Sequence, residues 1–296
     1  MRLPTLKQLQ YFLALVEHCH FGNAAAASFI SQSAFSSSIQ DLEELLDVAL
    51  VDRTNRQVTI TAMGQDIATQ ARLVIRDTEA LVELAGNRQE PLTGELRLGV
   101  IPTIAPFLLP SVLPKLRKAY PALRLFLIED QTARLHQRLL AGSLDLLLLA
   151  LPYDMRSVDT MNLFADGFRL AARAGTKHVD PENYRFSRLD ADSVLLLEDG
   201  HCLRDHALAA CKIRNTEKIS RFAASSLLTL VEMVDADLGV TFLPEMASKS
   251  SLLKNTRVKT YAVDDKSHRT IGLAWRKGST RVDEFILLGD FIREHR

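Results

Sequence analysis

The stretch Leu195-Leu196-Leu197-Glu198-Asp199-Gly200-His201-Cys202-Leu203-Arg204-Asp205-His206-Ala207-Leu208-Ala209-Ala210-Cys211 changes character once, at Asp199-Gly200. Before that point, the apolar run Val194–Leu197 reads as a short buried strand, and Asp199-Gly200 turns the chain. After it, Leu203 to Lys212 holds good helix formers, with Cys202 at or near the helix start. Two of the chain's three cysteines sit here, nine residues apart. On one helix they would be separated by about 13 Å of axial rise and would face opposite sides. A disulfide needs Cα atoms within about 7 Å, so the pair could bridge only if the segment between them melted. Two other readings stay open. Cys211, after Leu208-Ala209-Ala210, fits a small core hydrophobe. Cys202 and His206, four apart, with His201 alongside, offer metal ligands, although no second Cys-rich cluster completes the set.

Outward from this stretch, strands and helices alternate from Gly94 onward. Glu95–Ile101, Leu123–Ile128 and Asp145–Leu151 read as strands, the last apolar enough to be buried in a parallel sheet. Pro106–Ala119 and Ala133–Leu140 read as the helices between them. Ile219–Phe222, helix Ser226–Val234 and Val240–Leu243 follow, then a late strand Thr270–Trp275 and a closing helix Val282–Ile292. Such alternation predicts βαβ units and an α/β fold.

Toward the N-terminus the texture is helical. Thr5 can cap a helix whose apolar positions Leu6, Leu9, Phe12, Leu13 and Val16 follow the 3.6-residue period. His18-Cys19-His20 cannot turn all three side chains to one ion, so Cys19 reads as structural. Phe21–Phe29 is a small-residue helix. After a turn, Ser31 can cap the helix Ser33–Leu46, which buries Ala34, Phe35, Ile39, Leu42 and Leu46. Gln32, Ser33, Ser36, Ser37 and Gln40 are left outward. Two helices around a tight turn describe a helix-turn-helix. Val48–Asp52 and Gln57–Ile60 around Arg53-Thr54-Asn55-Arg56 read as a hairpin wing. From Thr61 a long helix carries Ile67, Ala71, Val74, Thr78, Leu81 and Ala85 at heptad spacing. That seam predicts a coiled-coil linker and a homodimer, against the plainer alternative of a helix packed on its own domain. Ala85 to Gly94 then reads as a hinge.

The expected domains are therefore 1–61, a winged helix-turn-helix; 62–93, linker helix and hinge; and 94–296, an α/β domain. The 296 residues carry 36 basic and 36 acidic side chains, so no global basic field announces nucleic acid. Residues 1–60 hold four basic groups (Arg2, Lys7, Arg53, Arg56) against six acidic ones, a net −2. Any DNA affinity from counterion release should be modest. Ser31, Gln32, Ser33, Ser36 and Ser37 at the helix start, with Arg53 and Arg56 on the wing, are the candidate DNA contacts. The N-terminus lacks the pattern of a secretory signal and no run is long enough to span a membrane. With an odd number of cysteines, the expectation is a reducing cytoplasm and no membrane partner.

The run Leu196–Asp205 with Cys211 resembles, without a gap, the sensing segment of the peroxide-sensing LysR-type transcriptional regulators. Phe21–Glu44 also resembles the LysR-type signature, through Ala24-Ala25, Ser31-Gln32-Ser33-Ala34, Ser36, Ile39 and Leu42-Glu43. The resemblance covers essentially the whole chain. It implies that the α/β region forms two similar subdomains, like a periplasmic binding protein, with an effector cleft between them. It also implies that the first subdomain is rejoined by the chain's last segment. Position by position, Thr103 in Ile101-Pro102-Thr103 and Thr132 in Glu129-Asp130-Gln131-Thr132 match hydroxyls that contact peroxide. His201 and Asp205 flank Cys202 in the family's order, and Arg269 in Arg269-Thr270-Ile271-Gly272-Leu273 matches its arginine.

The resemblance thus implies a regulator, not an enzyme, without cofactor or metal. Hydrogen peroxide would oxidise Cys202 to a sulfenic acid that condenses with Cys211. A helix N-terminus and a cation, Arg204 or Arg269, are expected to lower the Cys202 titration. The implied partners are promoter DNA, RNA polymerase, hydrogen peroxide and reductants such as glutaredoxin or thioredoxin, with homodimers pairing into a homotetramer. The competing expectation is a LysR-type regulator that binds a small molecule in its cleft, the cysteines incidental. Departures from the family pattern include Asp47, where Gly is usual, and Ala223 and Leu228 in place of polar residues near Ser225-Ser226.

Overall fold

The computed structural model of the chain describes residues 3–54, 57–85, 91–180, 189–210, 216–263 and 267–296. Residues 1–90 form one compact unit, and 91–140 with 144–296 form another.

In the first unit, α1 (Leu6–His18) starts in a capping box. The Thr5 side chain accepts from the Gln8 amide, and the Gln8 side chain accepts from the Thr5 amide. The His20 ring caps α2 (Phe21–Ala27), and the Ser31 hydroxyl caps α3 (Gln32–Leu46). Asp47 closes α3 in the left-handed conformation at φ 53°, which explains how the family's usual glycine can be replaced here. Phe12, Leu15, Phe35, Ile39 and Leu42 are fully buried and hold the three helices together. The hairpin β1 (Val51–Thr54) and β2 (Gln57–Ile60) follows. Helix α4 (Ala62–Ala85) then divides in two by exposure. Ala68 and Ala71 are buried in the unit's own core, with Ile67 and Ile75 packed against it, whereas Val74, Leu81 and Val82 are exposed. The heptad seam read over Ile67–Ala85 is thereby corrected: Ala71 faces its own domain, and of the seam's apolar side chains Val74 and Leu81 are exposed.

The second unit is built on β3 (Gly94–Val100), α5 (Ala105–Ala119), β4 (Leu123–Glu129), α6 (Thr132–Leu140), β5 (Leu146–Leu151) and a strand of sixteen residues, β6 (Val158–Arg173). β7 (Val194–Leu197), α7 (Cys202–Ala210), β8 (Ile219–Ala224), α8 (Leu227–Asp235), β9 (Thr241–Pro244) and α9 (Glu245–Ser248) follow. β10 (Val258–Ala262), β11 (His268–Arg276) and α10 (Val282–His295) complete the chain. The large sheet runs β10-β6-β11-β5-β3-β4, with β9 also on β6. β3 pairs in parallel with β4 and β5, but β11 is antiparallel to both β5 and β6, so the sheet is mixed rather than parallel throughout. The N-terminal part of β6 pairs β11, and its C-terminal part pairs β9 and β10.

β6 therefore links two hydrophobic cores. One gathers Leu146–Leu151, Ile271, Leu273, Phe285 and Ile292; the other gathers Leu170, Val194–Leu197, Val231, Phe242 and Leu243. The return of β11 and α10 to the first core bears out the expected two-subdomain plan. A cleft of about 480 Å³ lies between Pro102, Phe107 and Glu129 on one side and Leu197, Ser226 and Leu252 on the other.

Candidate functional site

Four chain segments meet at the start of α7. The β3–α5 connection supplies Thr103, the first helical residue of α6 is Thr132, and β11 supplies Arg269; these are 3%, 1% and 2% exposed. The β7–α7 turn supplies His201 and Cys202, both buried. The turn depends on Gly200 at φ +96°, with the Gln131 side chain packed against its Cα, so that an added Cβ would lie 2.9 Å from Gln131 Oε1. Ile101, Pro102, Thr103, Gln131, Thr132, Gly200, His201 and Cys202 line one crevice, with no room for a water-sized molecule while closed. Pro102, Thr103 and His201 line the larger cleft as well.

Arg269 organises the floor. Its Nη1 donates to Thr103 Oγ1 at 2.8 Å, its Nη2 to the Thr103 carbonyl at 2.9 Å, and its Nε to Asp166 Oδ2 at 3.0 Å. Asp166, also buried, accepts from the Met246 amide through Oδ1. A buried guanidinium tolerates its lost hydration only when every edge finds an acceptor, and Asp166 supplies the countercharge. Sequence reasoning missed Asp166. It lies inside β6, whose Asn162, Asp166 and Gly167 mask the alternation of a strand.

Burial pushes the Cys202 thiol above its ordinary range. The Thr132 hydroxyl and then the Arg269 charge act against that rise, Asp205 reinforces it, and the helix-start amide opposes it. The expected lowering is thus corrected in direction: desolvation outweighs the hydroxyl, the cation and the helix end. Thr132 Oγ1 is itself buried without a well-aligned hydrogen bond among the described residues. The sulfur is the acceptor it approaches, and a sulfur bearing charge would draw it closer. Asp205 is exposed on α7 rather than turned into the crevice. Arg204 turns away to Asp199 and the Leu197 carbonyl, which leaves Arg269 as the cation at the sulfur. Cys211 lies outside the described residues. Among the described residues no His, Cys, Asp and Glu group is arranged to hold a metal, and the His206 ring meets the Pro152 carbonyl at 2.9 Å.

At the other end of the chain, Ser31 spends its hydroxyl on the α3 cap, accepting from the Ala34 amide. Gln32, Ser33 and Ser37 are exposed and Ser36 half-buried. Arg56 lies outside the described residues, and so does the side chain of Arg53.

Family models match both ends of the chain. The family model described as LysR substrate binding domain matches residues 89–296. The model described as bacterial regulatory helix-turn-helix protein, lysR family, matches residues 6–65. The chain belongs to the LysR family. This LysR-family chain is 40% identical to the HTH-type transcriptional regulator EstR of Acinetobacter baylyi, over 98% of its own length and 97% of that protein. It is 36% identical to a hydrogen peroxide-inducible genes activator of Dickeya chrysanthemi, over 98% and 95%. Among solved structures, a full-length OxyR variant from Pseudomonas aeruginosa superposes with a TM-score of 0.83 at 31% identity, covering 99% of this chain and 96% of that one.

Proposed function

We propose that this chain is a DNA-binding transcriptional regulator that senses hydrogen peroxide through Cys202. The observation that carries the reading is the Cys202 sulfur at a helix start, in a closed crevice shared with Thr103, Thr132 and His201 and backed by Arg269. The similarity to a hydrogen peroxide-inducible genes activator supports the choice of oxidant.

The steps follow from the groups present. Peroxide enters as the crevice opens, and Thr103 and Thr132 orient its two oxygens. The thiol gives up its proton as the sulfur attacks one oxygen. The O–O bond breaks, sulfur is oxidised by two electrons, and the departing hydroxide takes a proton to leave as water. Arg269 stabilises the charge passing from sulfur to the leaving oxygen. The sulfenic acid then condenses with the Cys211 thiol, releasing a second water and requiring α7 to rearrange. Thiol reductants such as glutaredoxin or thioredoxin restore the pair.

Residues 1–61 read promoter DNA with Gln32, Ser33, Ser36 and Ser37 of α3, while Ser31 as its cap presents the helix N-terminus to phosphate, and Arg53 and Arg56 are the candidate contacts of the wing sequence. Residues 62–93 pair two copies through the exposed half of α4, homodimers associate as tetramers, and the regulator acts on RNA polymerase in the cytoplasm. Counting free thiols after stoichiometric peroxide tests the core of this. Loss of two thiols, and of one in Cys211→Ser, is expected; retention of all three contradicts the sensor. If Cys202→Ser left promoter response to peroxide intact, a regulator answering a ligand in the 480 Å³ cleft would take its place.

A further inference from the structure

The chemistry above leaves one partly buried titratable group on the switch helix unused, the His206 imidazole. α7 lies across the two cores: Cys202 belongs to the first, and Leu203 and Ala207 to the second. His206 is one turn beyond Cys202, on the same side of the helix. Its Nε2 stands 2.9 Å from the Pro152 carbonyl oxygen, in the segment that leaves β5 of the first subdomain. A carbonyl can only accept, so Nε2 carries the proton, and in the neutral ring Nδ1 is a bare acceptor. Nδ1 is buried and has no hydrogen-bond partner among the described residues.

The surroundings oppose a second proton. Burial lowers the His206 titration, the bond to Pro152 raises it, Arg269 lowers it again and Asp205 raises it, with a net fall. The charged groups that act on the ring are Arg269 on β11 and Asp205 on α7, and its one hydrogen-bond partner is the Pro152 carbonyl. A proton on Nδ1 would create a buried donor without an acceptor and place a cation near Arg269.

We propose that His206 is a positioning residue that ties α7, and with it Cys202, to the first subdomain, and that mild acid loosens the tie, because the buried Nδ1 finds no acceptor for a proton that the ring can take up once α7 lets it go. The proposal takes Cys202 as the reacting sulfur from the reading above, but the tie exists in the reduced protein whether or not peroxide reacts. The direction with pH follows from the lowered titration. As pH falls below the ordinary histidine range, the unfolded segment takes up a proton that the packed ring refuses. Protection of α7 is therefore complete above that range and is lost as pH falls through the packed ring's value.

The test uses the full-length reduced protein with His206→Gln and His206→Leu. Gln keeps an N–H for the Pro152 carbonyl and does not titrate; Leu removes the donor. Amide hydrogen exchange across α7, corrected for intrinsic rates, is measured at about pH 7.5 and about pH 5.5, on either side of the histidine range. Wild type should lose protection about ten-fold in acid, since a released imidazole about one unit below its ordinary titration gains about that factor from the proton. His206→Gln should keep protection at both values, and His206→Leu should lack it at both. Wild-type protection in the Leu variant at the higher pH, or the same acid loss in the Gln variant, overturns the proposal. The rate of Cys202 oxidation by peroxide, read in parallel, should fall in the Leu variant and recover in Gln. Were even wild type inert to peroxide, the sensor reading would fail while the exchange data still judged the tie.

Discussion

Arg269 holds Thr103 twice, donating to its hydroxyl at 2.8 Å and to its carbonyl at 2.9 Å. A guanidinium only donates, so the Thr103 oxygen serves Arg269 as acceptor and its O–H stays available to the crevice that Thr103 lines. The same arginine leans on Asp166 at 3.0 Å. One buried cation thus fixes a hydroxyl and supplies the positive field at the sulfur.

Removing Asp166 should be expensive. Asp166→Ala would leave the 2%-exposed Arg269 charge without a counterion, a loss of about 3–5 kcal/mol. Asp166→Asn, which keeps an acceptor, should lose less. Urea unfolding of the reduced protein measures both, and a change in the Ala variant within about 0.5 kcal/mol would mean that Arg269 has another partner.

Thr132 should tune the thiol. It opposes the burial-driven rise of the Cys202 titration more than any other group. Thr132→Val should therefore move that titration further up, Thr132→Ser should hold it, and the rate of thiol alkylation against pH reads both. A linked effect has a definite sign. Because the folded thiol titrates above the unfolded one, its stabilising share is complete below the unfolded value and fades as pH rises through the folded value. Cys202→Ser should remove that alkaline decline, and an unchanged decline would assign it to another group.

How far the sequence reached is visible at these same residues. Cys202 was legible from its place after a strand and turn, whereas Thr103, Thr132, His201 and Arg269 were legible only through the family resemblance, and the fold gathers all five. Asp166 and the long β6 were not, since Asn162, Asp166 and Gly167 interrupt its apolar alternation, and its pairing partners β9, β10 and β11 lie far along the chain. The direction of the Cys202 shift was also out of reach. Helix start and cation can be read from spacing, but the competing desolvation depends on tertiary packing.

Gly200 should resist substitution for two separable reasons. Gly200→Ala would force an L-residue to φ +96° and press its Cβ to 2.9 Å from Gln131 Oε1. The expected loss is about 1–3 kcal/mol, with slower peroxide reaction as the β7–α7 turn shifts. Adding Gln131→Ala should recover the contact share and leave the backbone share. Full recovery in the double variant would show that the positive φ carries no strain.

Phe29 offers a stabilising change in the DNA-binding unit. α2 ends with the Phe29 amide donating to the Ala26 carbonyl at 3.1 Å and the Ile30 amide to the Ala25 carbonyl at 3.1 Å, the crossed pair of a Schellman motif. Phe29 occupies the left-handed position of that motif at φ 56°, where glycine fits best, and its ring is 95% exposed. Ile30, the next residue, packs against the core and keeps the motif anchored. Phe29→Gly gives up almost no burial and relieves a conformation that costs an L-residue about 1–2 kcal/mol. The greater freedom of glycine in the unfolded chain returns part of that gain. The net expectation is a stabilisation of about 0.5–1 kcal/mol, with Phe29→Asn gaining less and Phe29→Val losing stability because β-branching resists positive φ. Thermal unfolding of the three variants gives the order, and a Gly variant less stable than wild type would show that the exposed ring makes a contact worth more than the strain it bears.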